Sequence, residues 1–487
     1  MKLLKDLLYG VSITERIGGT QIAVSKICFD SREVSKDALF IAVRGTQVDG
    51  HNYIDKAIEL GARSILCETL PDETKEKVSY IAVKDSAEAL ALIAANFYDN
   101  PSEKLRLVGI TGTNGKTTTT SLLYQLFQQL GHKVGLLSTV KVCVGKEEFP
   151  ATHTTPDPVQ INRYLDQMVK AGCKYCFMEA SSHGIHQRRT AGLQFAGAAF
   201  TNISRDHLDY HGDFENYIKA KKRLFDELGR KAFMLTNADE RHGMTMALNT
   251  KAKVHTFGLK SDADFKGRIL EHQLNGMLLR IDKHEVWTKL IGKFNASNLL
   301  TIYGVAVLLE QDPLQVATAI SSLKSVSGRF QYIQKNELTA IIDYAHTPDA
   351  LENVLKTIES IRTKNEKLIT VVGCGGNRDK GKRPVMARIA CEFSDQVILT
   401  SDNPRDEDPE AIIREMEAGI EMHHSHKVLK ITDRREAIKA SLSFGQAKDI
   451  ILIAGKGHET YQEIKGERFP FDDLAIAKEN LDQKYPS

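Results

Sequence analysis

The chain has no run approaching the ~18 uninterrupted apolar residues that a membrane span requires. Its first residues, MKLLKDLLYG, have charges breaking each short apolar stretch, so they lack the apolar core and small-residue cleavage site of a signal peptide. Neither sign of charge is in excess: 65 Lys and Arg stand against 63 Asp and Glu, which gives no electrostatic reason to expect a nucleic-acid partner. Seven cysteines are scattered without framework spacing, which predicts reduced thiols in a cytoplasm. Cys173 and Cys176 form a lone C-x-x-C with no second pair, and read as two small core residues. There is no H-E-x-x-H, which argues against a zinc hydrolase, and the one His-rich tract, His423-His-Ser-His426, reads as a solvated loop. No repeat of fixed period and no low-complexity segment is present.

What remains is 487 residues, 42% hydrophobic and 26% charged, the composition of a globular protein too long for one core. The pattern of apolar runs starts three times. Strand-like runs at 39–43, 64–67 and 80–83 surround a helix-like 53–60, and an Ala-rich helix ends near Asn100-Pro101. A second series has runs at 105–110, 134–137, 175–178, 198–201 and 233–235, with helices between most of them and two helices, about 298–310 and 314–323, at its end. A third has runs at 340–343, 368–372, 397–399, 428–431 and 450–453. This alternation predicts α/β architecture, each unit a sheet flanked by helices, with the middle sheet parallel and joined by crossovers. The expected domains are 1–101, 102–327 and 328–487.

The strongest chemical signal is Gly112-Thr-Asn-Gly-Lys-Thr-Thr118, between the strand-like run ending at Ile110 and a helix beginning near Lys116. Glycines here let successive backbone N–H groups face a phosphate, and the helix N-terminus adds partial positive charge. Lys116 would reach the terminal phosphates and the Thr117 hydroxyl a Mg²⁺ ion. The usual G-x-x-x-x-G-K-[ST] spacing fails, because its first Gly falls on Ile110. Strand-before, helix-after context still predicts ATP binding by Gly112, Thr113, Asn114, Gly115, Lys116, Thr117 and Thr118. Glu179, in Glu179-Ala-Ser-Ser-His-Gly184, and the cluster Asn202-Ile-Ser-Arg-Asp-His-Leu-Asp-Tyr-His-Gly212 follow consecutive strand-like runs, where α/β sites form. Adjacent Arg188 and Arg189 suit an anionic substrate.

G-T-N-G-K-T-T, S-S-H-G and D-H-L-D-Y-H-G, in this order, resemble the Mur ligases, and among them the member that adds the third peptide residue of a cell-wall precursor. The resemblance runs from Asp30 to about Glu459. It implies an ATP-dependent amide ligase working through an acyl phosphate, a cytoplasmic enzyme and a monomer, with no nucleic acid and no membrane insertion. By that resemblance Glu179 and His207 are Mg²⁺ ligands. Tyr217-Ile-Lys-Ala-Lys221 matches the family's Y-x-x-A-K, which makes Lys221 a candidate for carbamylation and a further metal ligand. Lys116, Lys221, Glu179 and His207 are then the catalytic set. Ser31, the stretch Thr46, Gln47 and Val48, and Thr154, Thr155, Ser181, Gln187 and Arg189 become contacts to UDP-N-acetylmuramoyl-L-alanyl-D-glutamate. Asn295 (with Asn298), Arg329, Asp343 and His346 fall to the nucleotide.

Two glycine- and arginine-bearing segments decide the amino acid. Gly373-Cys-Gly-Gly-Asn-Arg378 carries Arg378, and Asp402, Asn403, Pro404 and Arg405 form a stiff turn. A diamino dicarboxylic acid has a distal ammonium and a distal carboxylate, for which Asp402 and Arg405 are opposite partners. D-N-P-R is similar to the diaminopimelate-adding form of the family, and Gly455 and Glu459 match further contacts, so meso-diaminopimelate is the expected acceptor. L-lysine as acceptor is the nearest alternative. Folylpolyglutamate synthesis is another, and a P-loop switch without ligase activity is one of a different class.

Overall fold

The computed structural model describes residues 1–45 and 48–486. Thr46 and Gln47, two of the expected nucleotide-sugar contacts, lie outside the described residues. The chain divides into two compact units, the first formed by 1–112, 119–202 and 215–256, the second by 113–118, 203–214 and everything from Phe257 onward.

Among its described residues the first unit holds two larger sheets, besides the short pairing of Lys2–Leu3 with Ala23–Val24. The N-terminal one has five strands in the order Ile13–Ile17, Ser79–Val83, Ser64–Cys67, Ala38–Ile41, Lys26–Cys28, all parallel except the antiparallel edge strand Ile13–Ile17. Its central strands are buried at every position because both faces are covered. Leu39, Ile41, Leu66 and Ile81 pack on Leu4, Leu7, Leu90 and Ile93 on one face, and Phe40, Ile65 and Tyr80 on Ile54 and Ala57 on the other. The helix Ser86–Phe97 begins at Asp85, whose carboxylate accepts from the Glu88 N–H.

In the second sheet of this unit Arg106–Thr111 is central, flanked in parallel by Tyr175–Glu179 and Gly197–Phe200, with Val134–Leu137 and Phe233–Asn237 outside them. The hairpin Lys141–Val144 and Glu147–Pro150 extends it antiparallel. Glu179 and Gly112 thus stand at the carboxyl ends of neighbouring strands.

The second unit contains a three-stranded antiparallel sheet, Phe265–Gln273, Gly276–Ile281 and His284–Thr288, and the helices Lys293–Leu308 and Pro313–Ile320. The sequence reading has no strands there. The runs Phe265–Gln273 and His284–Thr288 mix apolar with polar and charged residues and are partly exposed, so they lack the continuous apolar signature of a doubly covered sheet. The hairpin turn Asn275-Gly276 was the available signal.

A six-stranded sheet follows in the order Gln331–Lys335, Leu338–Asp343, Ile450–Ala454, Leu368–Val372, Gln396–Leu399, Val428–Lys430, parallel except for the first strand. Helices Pro348–Ile361, Lys382–Phe393 and Pro409–Glu417 cover one face, and Arg434–Phe444 and Asp473–Lys484 the other. The turns after four adjacent parallel strands, at 344–347, 373–381, 400–405 and 455–460, therefore emerge along one edge. That is where ligands bind in open α/β sheets.

Beneath that edge lies a fully buried ion pair. Arg434 donates to Asp473 through Nε and Nη2 at 2.9 and 2.7 Å, and Nη2 also reaches the Ala454 carbonyl at 3.0 Å. Removing one partner strands the other charge in a low dielectric. Asp473→Ala is expected to cost about 3–5 kcal/mol of stability, whereas replacing both residues by apolar ones costs far less. Urea denaturation of the two variants checks this; equal losses would contradict it.

All seven cysteines are buried and free, Cys173 and Cys176 included, as their reading as core residues expects. Among the described residues no helix is long and apolar enough to cross a membrane.

Candidate functional site

In the first unit the strand Arg106–Thr111 delivers Gly112 against the next strand end. A Cβ on Gly112 would lie 2.0 Å from Thr201 Oγ1, so only glycine lets the loop start here. The Gly112 carbonyl accepts from Lys221 Nζ at 2.8 Å, and the ammonium lies 4.6 Å from the centre of the Tyr217 ring. Lys221 is only 1% exposed. A reading of the helix Phe214–Asp226 as solvated would have placed this lysine in water; the fold buries it at the root of the loop.

Glu179 is wholly buried at the end of its strand, and its carboxylate accepts from the Thr139 N–H at 2.7 Å. Around it the expected nucleotide-sugar contacts form one hydrogen-bonded group. Thr155 Oγ1 reaches the Glu179 carbonyl at 2.8 Å and Ser181 Oγ at 3.0 Å. Ser181 caps the short helix Ser182–His186 by accepting from the Gly184 N–H. Thr139 Oγ1 donates to Thr154 Oγ1 at 3.1 Å. Arg189 donates to the Thr155 carbonyl at 2.6 Å and holds Gln187 Oε1 with two further N–H groups. Sequence segments 154–155 and 179–189 are thereby joined. Ser31 is buried in the turn Ser31–Glu33, whose Asp30 cap is braced by Arg32 at 2.6 Å. Val48 is exposed.

Arg188 departs from the sequence reading. Its guanidinium is taken by Glu88 at 2.5 Å, Glu227 at 2.6 Å and Asp85 at 3.5 Å. It ties the helix Ser86–Phe97 to the later chain. Neighbouring arginines look equivalent in a sequence; the backbone of Arg188, at φ 59°, turns it away.

In the second unit the loop 113–118 meets the chain around 204 and 346. Thr113 Oγ1 donates to the Ser204 carbonyl at 3.2 Å and accepts from the Ser204 N–H at 3.0 Å. Asn114 Nδ2 and Ser204 Oγ both donate to Asp349 Oδ2 at 2.9 Å. Gly115, at φ 87°, leads into the helix Lys116–Gln129, and Lys116 Nζ folds back onto the Thr113 carbonyl at 2.8 Å. Thr117 and Thr118 are buried, and Arg329 Nη2 donates to Thr117 Oγ1 at 3.3 Å. A second cation is therefore brought to the loop.

His207 takes the left-handed backbone conformation at φ 54° beside Asp206. Burial would raise the Asp206 carboxyl, but His207, His346 and Lys116 together hold it below its ordinary range. Asn295 is buried and donates to the Ile291 carbonyl at 2.8 Å, and Asn298 donates to Asn295 Oδ1 at 3.3 Å.

Asp343 and His346 are both buried at the strand end. The Asp343 carboxylate accepts from the Phe330 N–H at 2.6 Å, so it braces the turn carrying Arg329. Burial pushes its carboxyl up to about 6, against the opposing pull of Arg329. Burial, aided by Lys382, brings His346 down to about 4. The sign of each follows from proton counting. Asp343 keeps a proton that the unfolded chain has lost, so its stabilisation is complete below 3.8 and gone above about 6. His346 works in the opposite sense, its contribution complete above 6.5 and lost as pH falls through about 4. Together they leave stability nearly flat across the shared window. His346→Gln should make stability fall, and Asp343→Asn make it rise, as pH increases from about 4 to 6, each by up to about 1.4 kcal/mol per pH unit. Thermal melting across that range checks this; parallel profiles would contradict it.

Along the same edge Asp402 is buried and its Oδ1 accepts from the Asn403 N–H at 2.6 Å. Gly455, at φ 119°, fits because a Cβ there would stand 2.6 Å from Asp402 Oδ2. Arg405 Nη1 donates to the Gly376 carbonyl at 2.8 Å, and Nε lies 3.5 Å from Glu463. The side chains of Arg405 and Arg378 both come within 4 Å of the space a Gly375 side chain would occupy. Arg378 is exposed and Pro404 buried. Asn403 and Glu459 are joined at 2.7 Å, and Tyr344 Oη donates to Glu459 Oε1 at 3.3 Å. The Arg329 guanidinium lies 4.5 Å from the Tyr344 ring centre. A continuous path of contacts thus runs from Thr117 through Arg329, Tyr344 and Glu459 to Asn403. Lys456, beside Glu459, was not singled out from sequence.

Comparison with known proteins follows the same plan. Residues 23–98 match the Mur ligase family catalytic domain, 110–306 the Mur ligase middle domain, and 328–457 the Mur ligase glutamate ligase domain. The UDP-N-acetylmuramoyl-L-alanyl-D-glutamate--2,6-diaminopimelate ligase of Cytophaga hutchinsonii is 55% identical over 481 residues, covering 98% of this chain and 99% of its own. The protein of the same name from Geobacillus kaustophilus is 40% identical over 489 residues, with the same coverage. A solved structure of a ligase of that name superimposes over 100% of both chains with a TM-score of 0.71 at 32% identity. With a phosphate loop, a buried strand-end carboxylate and an arginine-bearing third sheet in this order, and relatives matched along nearly their whole length, the chain belongs to the Mur ligase family.

Proposed function

We propose that this chain is an ATP-dependent ligase that adds meso-diaminopimelate to UDP-N-acetylmuramoyl-L-alanyl-D-glutamate, in the domains 1–101, 102–327 and 328–487, and works as a cytoplasmic monomer. The observation that carries the reading is the path of contacts from Thr117 to Asn403, which links a phosphate loop to a pocket edge bearing Asp402, Arg405 and Glu459. A nucleotide switch has no use for such an edge. The relatives' names supply the substrates.

The D-glutamyl carboxylate attacks the γ-phosphorus of ATP, the bond to the β–γ bridging oxygen breaks, and ADP leaves. The amine of diaminopimelate then attacks the acyl carbon, loses a proton, and expels phosphate. Both partners in the first step are anions, so the cations Lys116 and Arg329 offset charge as they approach. Thr154, Thr155, Ser181, Gln187 and Arg189 hold the nucleotide-sugar peptide, with Ser31 and the stretch from Thr46 to Val48. Arg378 and Arg405 orient the acceptor through its distal carboxylate, and Asp402 takes its distal ammonium. The buried Asn295 stands on the adenine side.

Donors that would suit a metal are the Thr117 hydroxyl and the His207 imidazole in the second unit and, taken by itself, the Glu179 carboxylate in the first. Among the described residues no three His, Cys, Asp or Glu gather as a ready-made cage. Mg²⁺ keeps waters and phosphate oxygens as most of its ligands. When bound, Mg²⁺ would neutralise phosphate charge. Lys221, buried at Gly112 in the first unit, would become an oxygen donor once carbamylated. Intact-mass measurement at high bicarbonate should then show a gain of one CO₂ that Lys221→Arg lacks; an unmodified wild-type chain would contradict this.

The test is ADP release with the uridine nucleotide dipeptide, supplied with meso-diaminopimelate, with L-lysine, or with neither. Release only with meso-diaminopimelate is expected. Equal release with both amino acids would favour the lysine alternative, and release without either would favour a switch.

A further inference from the structure

Lys456 follows the strand Ile450–Ala454 and is wholly buried. Its ammonium donates to Asn403 Oδ1 and to Glu459 Oε2, each at 2.9 Å. Asn403 Nδ2 donates to the same Glu459 oxygen at 2.7 Å, so the three side chains close a ring. The two ends of an amide are equal in size, and only their partners decide which way it points. An ammonium has donors alone, so Lys456 draws the carbonyl end of Asn403 to itself and turns the NH₂ end to Glu459. The Glu463 N–H, at 2.9 Å from the same Oδ1, reinforces that choice and fixes the strand Tyr461–Ile464 beside the turn. This strand also carries the partners of Arg405: the Arg405 N–H donates to the Glu463 carbonyl at 3.0 Å.

We infer that Lys456 is the positioning residue of the amino-acid acceptor pocket, setting the orientation of Asn403 and Glu459 without touching the acceptor itself. This rests on the reading of 402–405 and 455–459 as the acceptor site. Two features separate it from a general structural role. Its polar contacts go to groups of that pocket edge. And the cation is placed where it balances Glu459, so that the pocket presents the acceptor with a carboxylate already compensated from behind. Without Lys456, Glu459 is a half-buried anion short of its cation and Asn403 is free to flip. The pocket then offers the acceptor the wrong donor and acceptor pattern, while the phosphate loop keeps its own contacts.

The experiment uses the full-length enzyme and steady-state ADP release. In Lys456→Met the KM for meso-diaminopimelate should rise about tenfold or more, with the KM values for ATP and the uridine nucleotide dipeptide within about twofold of wild type. Adding Asn403→Ala to Lys456→Met should raise the acceptor KM little further, because both substitutions break the same ring. Lys456→Arg, which keeps the charge but moves the donors, should raise the acceptor KM about threefold, and it alone decides the matter if the Met variant does not fold. An acceptor KM unchanged in the folded variants, a similar rise for all three substrates, or full multiplicativity with Asn403→Ala would overturn the inference. A wild-type enzyme that releases ADP without any amino acid would instead overturn the acceptor-site reading beneath it.

Discussion

Lys116→Ala is expected to lower ADP formation by about a thousandfold or more, the scale seen when a preorganised charge is taken from a site of phosphoryl transfer. Lys116 sits in the first turn of the helix Lys116–Gln129, and its ammonium rests on the Thr113 carbonyl, a contact that a phosphate oxygen can replace as the loop closes on ATP. Its loss leaves the fold in place, since the loop is independently tied to Ser204 and Asp349 by Thr113 and Asn114. Arg329, on Thr117, remains as a second cation and supplies the residual rate. The measurement is coupled-assay turnover beside calorimetric ATP binding. Normal turnover in a folded variant would remove the phosphate loop from the mechanism.

The second large effect concerns the acceptor. Arg405→Ala should raise the KM for meso-diaminopimelate about a hundredfold, close to 2.7 kcal/mol at 1.36 kcal/mol per factor of ten, by removing the partner of its distal carboxylate. The turn should survive the change. Arg405 is held through its backbone, the N–H donating to the Glu463 carbonyl at 3.0 Å and the carbonyl accepting from Lys465 at 2.8 Å. The substitution therefore deletes a guanidinium without releasing the chain that carried it. L-lysine, which has no distal carboxylate, should lose nothing, so the preference between the two amino acids shrinks by the same factor. Comparing both acceptors in one assay checks this, and equal losses for both would contradict the assignment of Arg405.

The parallel sheets were legible in the sequence because strands covered on both faces are nearly continuous apolar runs, as at 64–67, 368–372 and 450–454. The hairpin at 141–150 and the antiparallel strands of 265–288 were not, because their alternation is mixed with charge and their exposure is partial. The phosphate loop was readable from glycine spacing and context even though its first glycine is displaced. Family resemblance, and not chemistry, pointed to Thr154, Thr155, Ser181 and Gln187; the fold gathers them into one hydrogen-bonded group around Glu179. Burial is what a sequence hides best. Lys221 stood out only by resemblance and Lys456 not at all, and Arg188 read as a twin of Arg189, until three-dimensional neighbours set each apart.

That a carboxylate accepts the γ-phosphoryl group is the claim on which all else depends. It is tested most directly by preparing the uridine nucleotide dipeptide with heavy oxygen in its D-glutamyl carboxylate, running the ligase to completion with ATP and meso-diaminopimelate, and reading the released phosphate by mass spectrometry. Phosphate carrying one labelled oxygen is the predicted result. Phosphate that takes its fourth oxygen from solvent, with the label retained in the peptide, would contradict it.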